Sequence, residues 1–338
     1  MSAMTEVREM RYMQAVAKAL HDSLEADPTV MVLGEDIAAA GGSFKATRGL
    51  LDTFGPQRVL DTPISESSIV SAAVGAALTG MRPVVEIMFM DFIALAMDQL
   101  VNHAAKVRYM YNAQYATPMV VRTPFGGGRG YGPSHSQSLE SWFMSVAGIK
   151  VVCPSTPADA KQLLAAAIAD NGPVLFLEHK LLYGEEGPRP TAVSDGPSPS
   201  APAEIGSAAV RRVGHDITLI SYGLMCRTVE GVANALDGEG VSCEVVDLRT
   251  LKPLDSETLR ASVRKTGRAV IVEEGNRTGG VGAEVAALLA EDCLESLRGR
   301  VVRVGSADAP LPAAPALEQA VMPQVEDIVD AVRRAFEW

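Results

Sequence analysis

The chain has 338 residues, of which 47% are hydrophobic, and a formal net charge of −11. That is ample for a packed core and long for one ordinary domain, so two domains are the default. The acidity is spread along the chain with no arginine or lysine stripe, which argues against a nucleic-acid surface and leaves an acidic exterior able to meet a basic partner.

The N-terminal stretch MSAMTEVREMRYMQAVAKAL carries charges through its apolar positions, unlike a signal peptide. The weakly polar run from Ser67 to Met81 stops at Arg82-Pro83, too short for a membrane span. Cys153, Cys226, Cys243 and Cys293 form no C-x-x-C pair, and no H-E-x-x-H occurs, so neither a zinc site nor a disulfide framework is suggested. A cytoplasmic location follows as the expectation.

Short β-branched runs alternate with helical patterns. TVMVLGED, RPVVEIMF, TPMVVRTP, IKVVCPS and GPVLFLEH read as buried strands bounded by Pro or Gly. SSIVSAAVGAALTG, AMDQLVNHAAKVRYMY and TPADAKQLLAAAIADNG read as helices, the last with Thr156 as N-cap and Pro157 in the first turn. This alternation predicts an α/β, doubly wound domain with a parallel sheet over residues 1–184. The Pro-rich stretch YGEEGPRPTAVSDGPSPSAPAEIG reads as a linker, placed at 185–207. Alternation resumes with HDITLISYG, a helix to about Leu236, VSCEVVDLRTLKP, the helix DSETLRASVRKTG, RAVIVEEGN, the helix VGAEVAALLAED, VVRVGS and a last helix VEDIVDAVRRAFE. A second, smaller doubly wound α/β domain is expected over 208–338.

No P-loop is present, and neither RTGGVGAEV nor SYGLMCRT fits G-x-G-x-x-G. A nucleotide-holding electron-transfer subunit therefore lacks its fingerprint. Glu66 draws more interest. It opens a helix of small and apolar residues, with no basic residue between Arg58 and Arg82. Desolvation there would raise its carboxyl pKa and suit it to share a proton near neutral pH. The plainer alternative is an acid decorating the positive end of a helix. Phe92 has core packing as its plain alternative, and His135 a structural role. His135 follows the glycine-rich FGGGRGYGPS, which can bring backbone close to a ligand, and its imidazole can donate or accept a proton at pH 7.

LGEDI, FGPQRVLDTPISE, AAVGAALTGMRPVVEIMFMDF, DQLVNHAAKVRYM, GPSHSQSLE, GIKVVCPSTPADAKQLLAAAI and FLEHKLLYG occur in this order. Together they resemble the beta subunit of the thiamine-diphosphate-dependent decarboxylating component of 2-oxo acid dehydrogenase complexes, nearest to the pyruvate and acetoin types. DLRTLKPLD and VIVEEG resemble the transketolase C-terminal domain. The resemblance spans most of the chain. It implies an N-terminal pyrimidine-binding domain and a transketolase C-terminal-like domain.

The resemblance gives Glu66 the role of the acid that hydrogen-bonds the cofactor's aminopyrimidine ring. That ring then helps remove the thiazolium proton. It places Phe92 beside the aminopyrimidine and His135 at the channel where the acyl unit passes to lipoyl. Glu35 and Asp98 match acids on a path linking paired sites. It also implies a potassium site built from Met119, Ala167, Ile168, Asp170 and Gly172, the last standing where relatives often carry Asn. The chain has no G-D-G motif, which thiamine-diphosphate enzymes use to hold diphosphate through a divalent metal. Magnesium and the diphosphate half of the site are therefore expected from an alpha subunit in an α2β2 heterotetramer. The helix after Glu66 and DQLVNHAAKVRYMY are candidate interfaces. The expected reaction decarboxylates pyruvate, or cleaves acetoin, and transfers the acyl unit to a lipoyl-bearing acyltransferase core, with Glu284 and Asp292 as candidate docking acids. Pyruvate, acetoin and branched-chain 2-oxo acids stay open as substrates. A split transketolase-like subunit acting on another ketone or a sugar phosphate is the alternative.

Overall fold

The structure, a computed structural model, describes residues 9–188 and 203–337. In the first half, strands β1 (Glu9–Arg11), β2 (Val30–Gly34), β3 (Val59–Asp61), β4 (Arg82–Glu86), β5 (Val120–Phe125), β6 (Lys150–Val152), β7 (Val174–His179) and β8 (Glu186–Pro188) alternate with helices. The helices are α1 (Tyr12–Ala26), α2 (Leu50–Phe54), α3 (Glu66–Leu78), α4 (Val107–Met110), α5 (Ser141–Met144) and α6 (Pro157–Ala169). The second half adds β9 (Ala209–Arg212), β10 (Ile217–Ser221), β11 (Cys243–Asp247), β12 (Thr250–Lys252), β13 (Ala269–Asn276) and β14 (Val301–Ser306). Its helices are α7 (Gly223–Asp237), α8 (Ser256–Thr266), α9 (Val281–Asp292), α10 (Pro315–Val321) and α11 (Val325–Phe336).

The first sheet has the order β12-β6-β7-β5-β4-β2-β3. It is parallel except for β12 at its edge. Strands β5 and β7 are buried along their whole length, as helices on both faces require. One face carries α1 and α6, whose Tyr12, Leu20, Leu163 and Leu164 meet Val32, Val84 and Phe176. The other carries α3 and the 90–104 segment. That core runs on into Leu259, Val263, Val281 and Val285 of the second half, so the two sheets share one apolar layer. The second sheet, β14-β13-β10-β11-β9, packs against α7 and α11 on its far side.

Local signals account for several ends. The Thr156 hydroxyl accepts from Asp159 N at 3.2 Å, and Pro157 stands in the first turn of α6. Asp255 caps α8 the same way, and Gly267 closes it in the left-handed region.

Two expectations need correction, and one segment divides between sheets. The segment AMDQLVNHAAKVRYMY is not one α-helix: a 3₁₀ stretch (Met90–Ala96) and a π turn (Gln99–Ala104) precede α4. Ala105 N reaches back to the Leu100 carbonyl, while the Thr117 hydroxyl takes the Ala104 carbonyl at 2.8 Å and draws it out of the ladder. VSCEVVDLRTLKP is two strands in two different sheets. Between them the Asp247 carboxylate accepts from Arg249 N at 3.1 Å, and Arg249 takes a positive φ of 53°. The stretch read as linker from Tyr183 begins as structure. Tyr183 is buried, and Glu186–Pro188 pairs antiparallel with β1. Residues 189–202 of the expected linker lie outside the described residues.

Candidate active site

Glu66 is the first residue of α3 and is half-buried. The segment before it is held against the end of β2. Thr62 N donates to the Gly34 carbonyl at 2.9 Å, and the Asp61 carboxylate accepts from Ala38 N at 2.7 Å. A Cβ on Gly34 would stand 2.7 Å from the Glu86 carbonyl oxygen, so only glycine lets these strands approach so closely. The result brings Glu35 and Glu66 into one electrostatic neighbourhood. Burial pushes the Glu35 carboxyl up, and the charges of Asp36 and Glu66 add to it. Around them, Ile64 is 73% exposed, and the Thr62 hydroxyl is buried with no hydrogen-bond partner among the described residues. No ion pair joins Glu66 to a cation among the described residues.

The helix α3 packs against the 90–96 segment that carries Phe92. The His135 ring stands edge-on to Phe92 at 5.2 Å between centroids and edge-on to Phe89 at 5.5 Å. The Ser134 hydroxyl lies 3.0 Å from His135 Nδ1. Next to it, Asp91 accepts from Gln137 N and Nε2 at 3.2 and 3.0 Å, while its second carboxylate oxygen and the Ser136 hydroxyl are buried without partners among the described residues.

The glycine-rich segment leading to His135 is fixed from the second half of the chain. Glu274 of β13 accepts from Gly127 N at 2.7 Å, and Glu318 of α10 from Gly128 N and Gly130 N at 2.9 and 3.1 Å. Glu274 also holds His179 Nε2 at 2.7 Å. Beneath these groups Arg122 makes a forked pair with Glu178 at 2.7 and 2.8 Å and reaches Glu86 at 2.8 Å, all three buried. The Tyr183 hydroxyl completes this network on Glu178 at 2.7 Å.

A second buried acid group lies at the junction of the halves. The Tyr222 hydroxyl donates to Glu140 at 2.6 Å and lies 3.4 Å from Glu273. Burial pushes Glu140 up to about 7. Burial, with Glu140 adding, pushes Glu273 up to about 8.

Two further expected groups have partners of their own. Asp98 is exposed and bound to Asn102 at 2.7 Å, with His103 at 3.5 Å. Of the residues expected to hold potassium, Ile168 and Asp170 are taken by protein cations and Met119 and Ala167 by backbone amides. Arg82 donates to the carbonyls of Ile168, Ala169 and Asp170 at 3.1, 3.2 and 2.9 Å, and Lys150 pairs with the Asp170 carboxylate. The Met119 carbonyl accepts from Val174 N, the Ala167 carbonyl from Asp170 N, and Gly172 N donates to Asp170. So arranged, the set does not fit a bare monovalent cation. Two positive side chains already take the charge such an ion would bring.

Sequence reasoning passed over Lys180, His179, Glu274 and Glu318. The available signal was the run Glu178-His179-Lys180, three ionisable residues at the end of an apolar strand, all buried.

Thiamine diphosphate has an aromatic, hydrogen-bonding half and a strongly anionic half. The half-buried Glu66, the partnerless Thr62 hydroxyl, the exposed Ile64 and the ring of Phe92 suit the first half. Nothing in the 59–81 segment is basic enough for the second.

Residues 8–186 match the transketolase pyrimidine-binding domain and residues 206–328 the transketolase C-terminal domain. The chain is 44% identical over 328 residues to the pyruvate dehydrogenase E1 component subunit beta-2, mitochondrial, of Oryza sativa subsp. japonica, covering 97% of this chain and 86% of that one. It is 42% identical to the 2-oxoisovalerate dehydrogenase subunit beta of Bacillus subtilis (strain 168), covering 97% and 99%. Among solved structures, a split gene transketolase described as an inactive beta4 tetramer superposes with a TM-score of 0.78 at 26% identity, covering 97% of this chain and 98% of that one.

Proposed function

The chain belongs to the transketolase-like beta subunits of the thiamine-diphosphate-dependent 2-oxo acid dehydrogenases, and on that premise we propose that it supplies the pyrimidine half of a site completed by an alpha subunit. The observation that carries this is Glu66, set at the start of α3 beside Glu35 and free of any facing cation among the described residues. When bound, the cofactor supplies a carbon nucleophile and an electron sink for the loss of carbon dioxide. Glu66 holds a proton at the pyrimidine nitrogen; a facing cation would keep the acid ionised and oppose that. Phe92 lines the ring. His135, wedged between Phe89 and Phe92, gives or takes a proton at its imidazole as the acyl unit leaves for lipoyl. Magnesium comes with the alpha subunit.

Exposed apolar groups support an α2β2 assembly. Tyr109 is 89% exposed, and Met110, Tyr111 and Tyr115 flank it. The outer face of α3 shows Ser71, Ala72, Gly75 and Leu78, small enough for close helix approach. The structural relative described as an inactive beta4 tetramer accords with a chain that needs another to work. Four buried, unpaired cysteines suit a reducing compartment such as the cytoplasm. No helix among the described residues is long and apolar enough to cross a membrane.

Pyruvate leads the substrates, with branched-chain 2-oxo acids and acetoin behind it, and a lipoyl-bearing acyltransferase takes the product. The likeness to a split transketolase favours a second reading, a sugar-phosphate ketone. Against it, Arg129 and Lys180, cations close to His135, are engaged within the protein. Calorimetric titration of thiamine diphosphate and magnesium into the chain, with and without its alpha partner, tests the split site. Tight binding only with the partner is expected, and full affinity for the chain alone would sink the proposal. A panel of pyruvate, branched-chain 2-oxo acids, acetoin and sugar phosphates, read with an artificial electron acceptor, separates the substrates.

A further inference from the structure

Lys180 follows β7 and opens the 3₁₀ turn Lys180–Gly184. Its side chain is fully buried, which for an ammonium group is costly unless something compensates it. The compensation is unusual. Nζ donates to the His135 carbonyl and stands 5.0 Å from the Phe89 ring centroid and 5.1 Å from that of Tyr131. Its near partners are a carbonyl and two aromatic faces rather than a carboxylate. Burial pushes this ammonium down to about 8, with Asp91 and Glu274 opposing the shift from farther off and Arg129 adding to it.

Two of the groups that Lys180 touches also set His135. One is that residue's own carbonyl. The other is Phe89, against which the imidazole packs edge-on at 5.5 Å. The carboxylates of Glu274 and Glu318 anchor the same segment farther upstream, at Gly127, Gly128 and Gly130. Downstream, Asp91 holds Gln137, and Lys180 is the side chain that holds the backbone of His135 itself.

We propose that Lys180 is a positioning residue for His135, tying down its backbone and the Phe89 wall so that the imidazole keeps one orientation in the site. The catalytic part of this claim rests on the role given to His135 above; the geometric part does not. With the upstream anchors intact, Lys180→Met should keep the fold and loosen His135 alone. Lys180→Arg keeps the charge, but its larger planar guanidinium cannot reproduce a buried point contact on one carbonyl, so it should retain only part of the wild-type behaviour.

Two measurements on the full chain assembled with its alpha partner decide it. The first is the rate at which diethyl pyrocarbonate modifies each histidine, read by peptide mass spectrometry. Lys180→Met should change the His135 rate about threefold or more, as a lost hydrogen bond of ~1 kcal/mol allows, and leave the His103 and His215 rates unchanged. An unchanged His135 rate overturns the proposal. The second is a double-mutant cycle on turnover. Lys180→Met should lower kcat ~10-fold with KM nearly constant, a loss in the range of a misplaced catalytic group. It should cost nothing further in a His135→Asn background. Losses that multiply overturn the positioning role. If the wild-type assembly shows no turnover on any substrate of the panel, the catalytic reading fails by itself and the modification rates still decide the geometric claim.

Discussion

His179 Nε2 lies 2.7 Å from Glu274 Oε2, with both side chains buried, and the contact joins the end of β7 in one sheet to β13 in the other. Burial alone would raise the Glu274 carboxyl. The charge and hydrogen bond of His179 outweigh it, with Gly127 N and the Ser138 hydroxyl adding, and hold the group below its ordinary range. His179→Ala leaves this carboxylate buried with two donors instead of three. A loss of about 3 kcal/mol is expected, the lower end for a broken buried pair, read as a shift in the denaturant midpoint at pH 7. A depressed carboxyl contributes stability above its unfolded pKa and loses it as pH falls through the folded value. The gap between wild type and variant should therefore narrow as pH falls through and below the ordinary carboxylate range. A gap that holds constant from pH 7 to pH 3 would contradict the pairing.

Gly126 sits directly over that pair with a φ of +92°. A Cβ there would stand 2.1 Å from His179 Nε2 and 2.8 Å from Glu274 Oε1. Gly126→Ala must move either the segment or the pair. It should cost roughly 2–4 kcal/mol and most of the turnover, since the same segment carries His135. Gly184→Ala, with open space around the new methyl group, should stay within about 0.5 kcal/mol of wild type. Melting curves of the two variants side by side make the comparison.

The acids at the junction of the halves give the opposite pH dependence. Glu140 and Glu273 face each other across the Tyr222 hydroxyl. Glu274 and His179 lie close to Glu140, and Arg303 and the Gly282 and Val281 amides close to Glu273. Both carboxyls are raised from 4.5, to about 7 and about 8. A raised acid binds its proton more tightly in the folded state, so its stabilising effect is full below pH 4.5 and fades as pH rises through 7 and 8. Glu140→Gln mimics the protonated form. It should flatten the decline between pH 5 and pH 8.5 and leave the variant more stable than wild type at the alkaline end, by up to about 3 kcal/mol. Urea denaturation at several pH values reads it, and parallel wild-type and variant curves would rule the effect out.

Much of this was legible in the sequence because it is local. Thr156 and Pro157 announce the start of α6, and the apolar runs at β5 and β7 announce strands covered on both faces. The ordered family segments gave Phe92 and His135 separate expected roles; the edge-on contact of their rings at 5.2 Å is a finding of the structure. Contacts distant in sequence were not legible. His179 meets Glu274 across 95 positions, and Glu318 reaches Gly128 across 190. No periodicity encodes such pairs; the packing of two sheets on one apolar layer creates them. The same holds for Thr250–Lys252, which leaves its own half to edge the first sheet after a turn at Asp247 and Arg249. At the expected potassium set, the residue numbers could be transferred but not the neighbours, and Arg82 supplies a charge from β4 that spacing within 167–172 does not reveal.

Glu66→Gln, assembled with the alpha subunit and saturated with thiamine diphosphate and magnesium, is the most direct test. Glutamine keeps the size and the start of α3 but cannot hold the acid proton. Decarboxylation of pyruvate, or of whichever substrate the panel selects, should fall by at least ~100-fold, the scale of a lost general acid–base group, while the circular dichroism spectrum and the assembly stay those of wild type. Turnover near the wild-type rate at full cofactor occupancy would contradict the role given to Glu66.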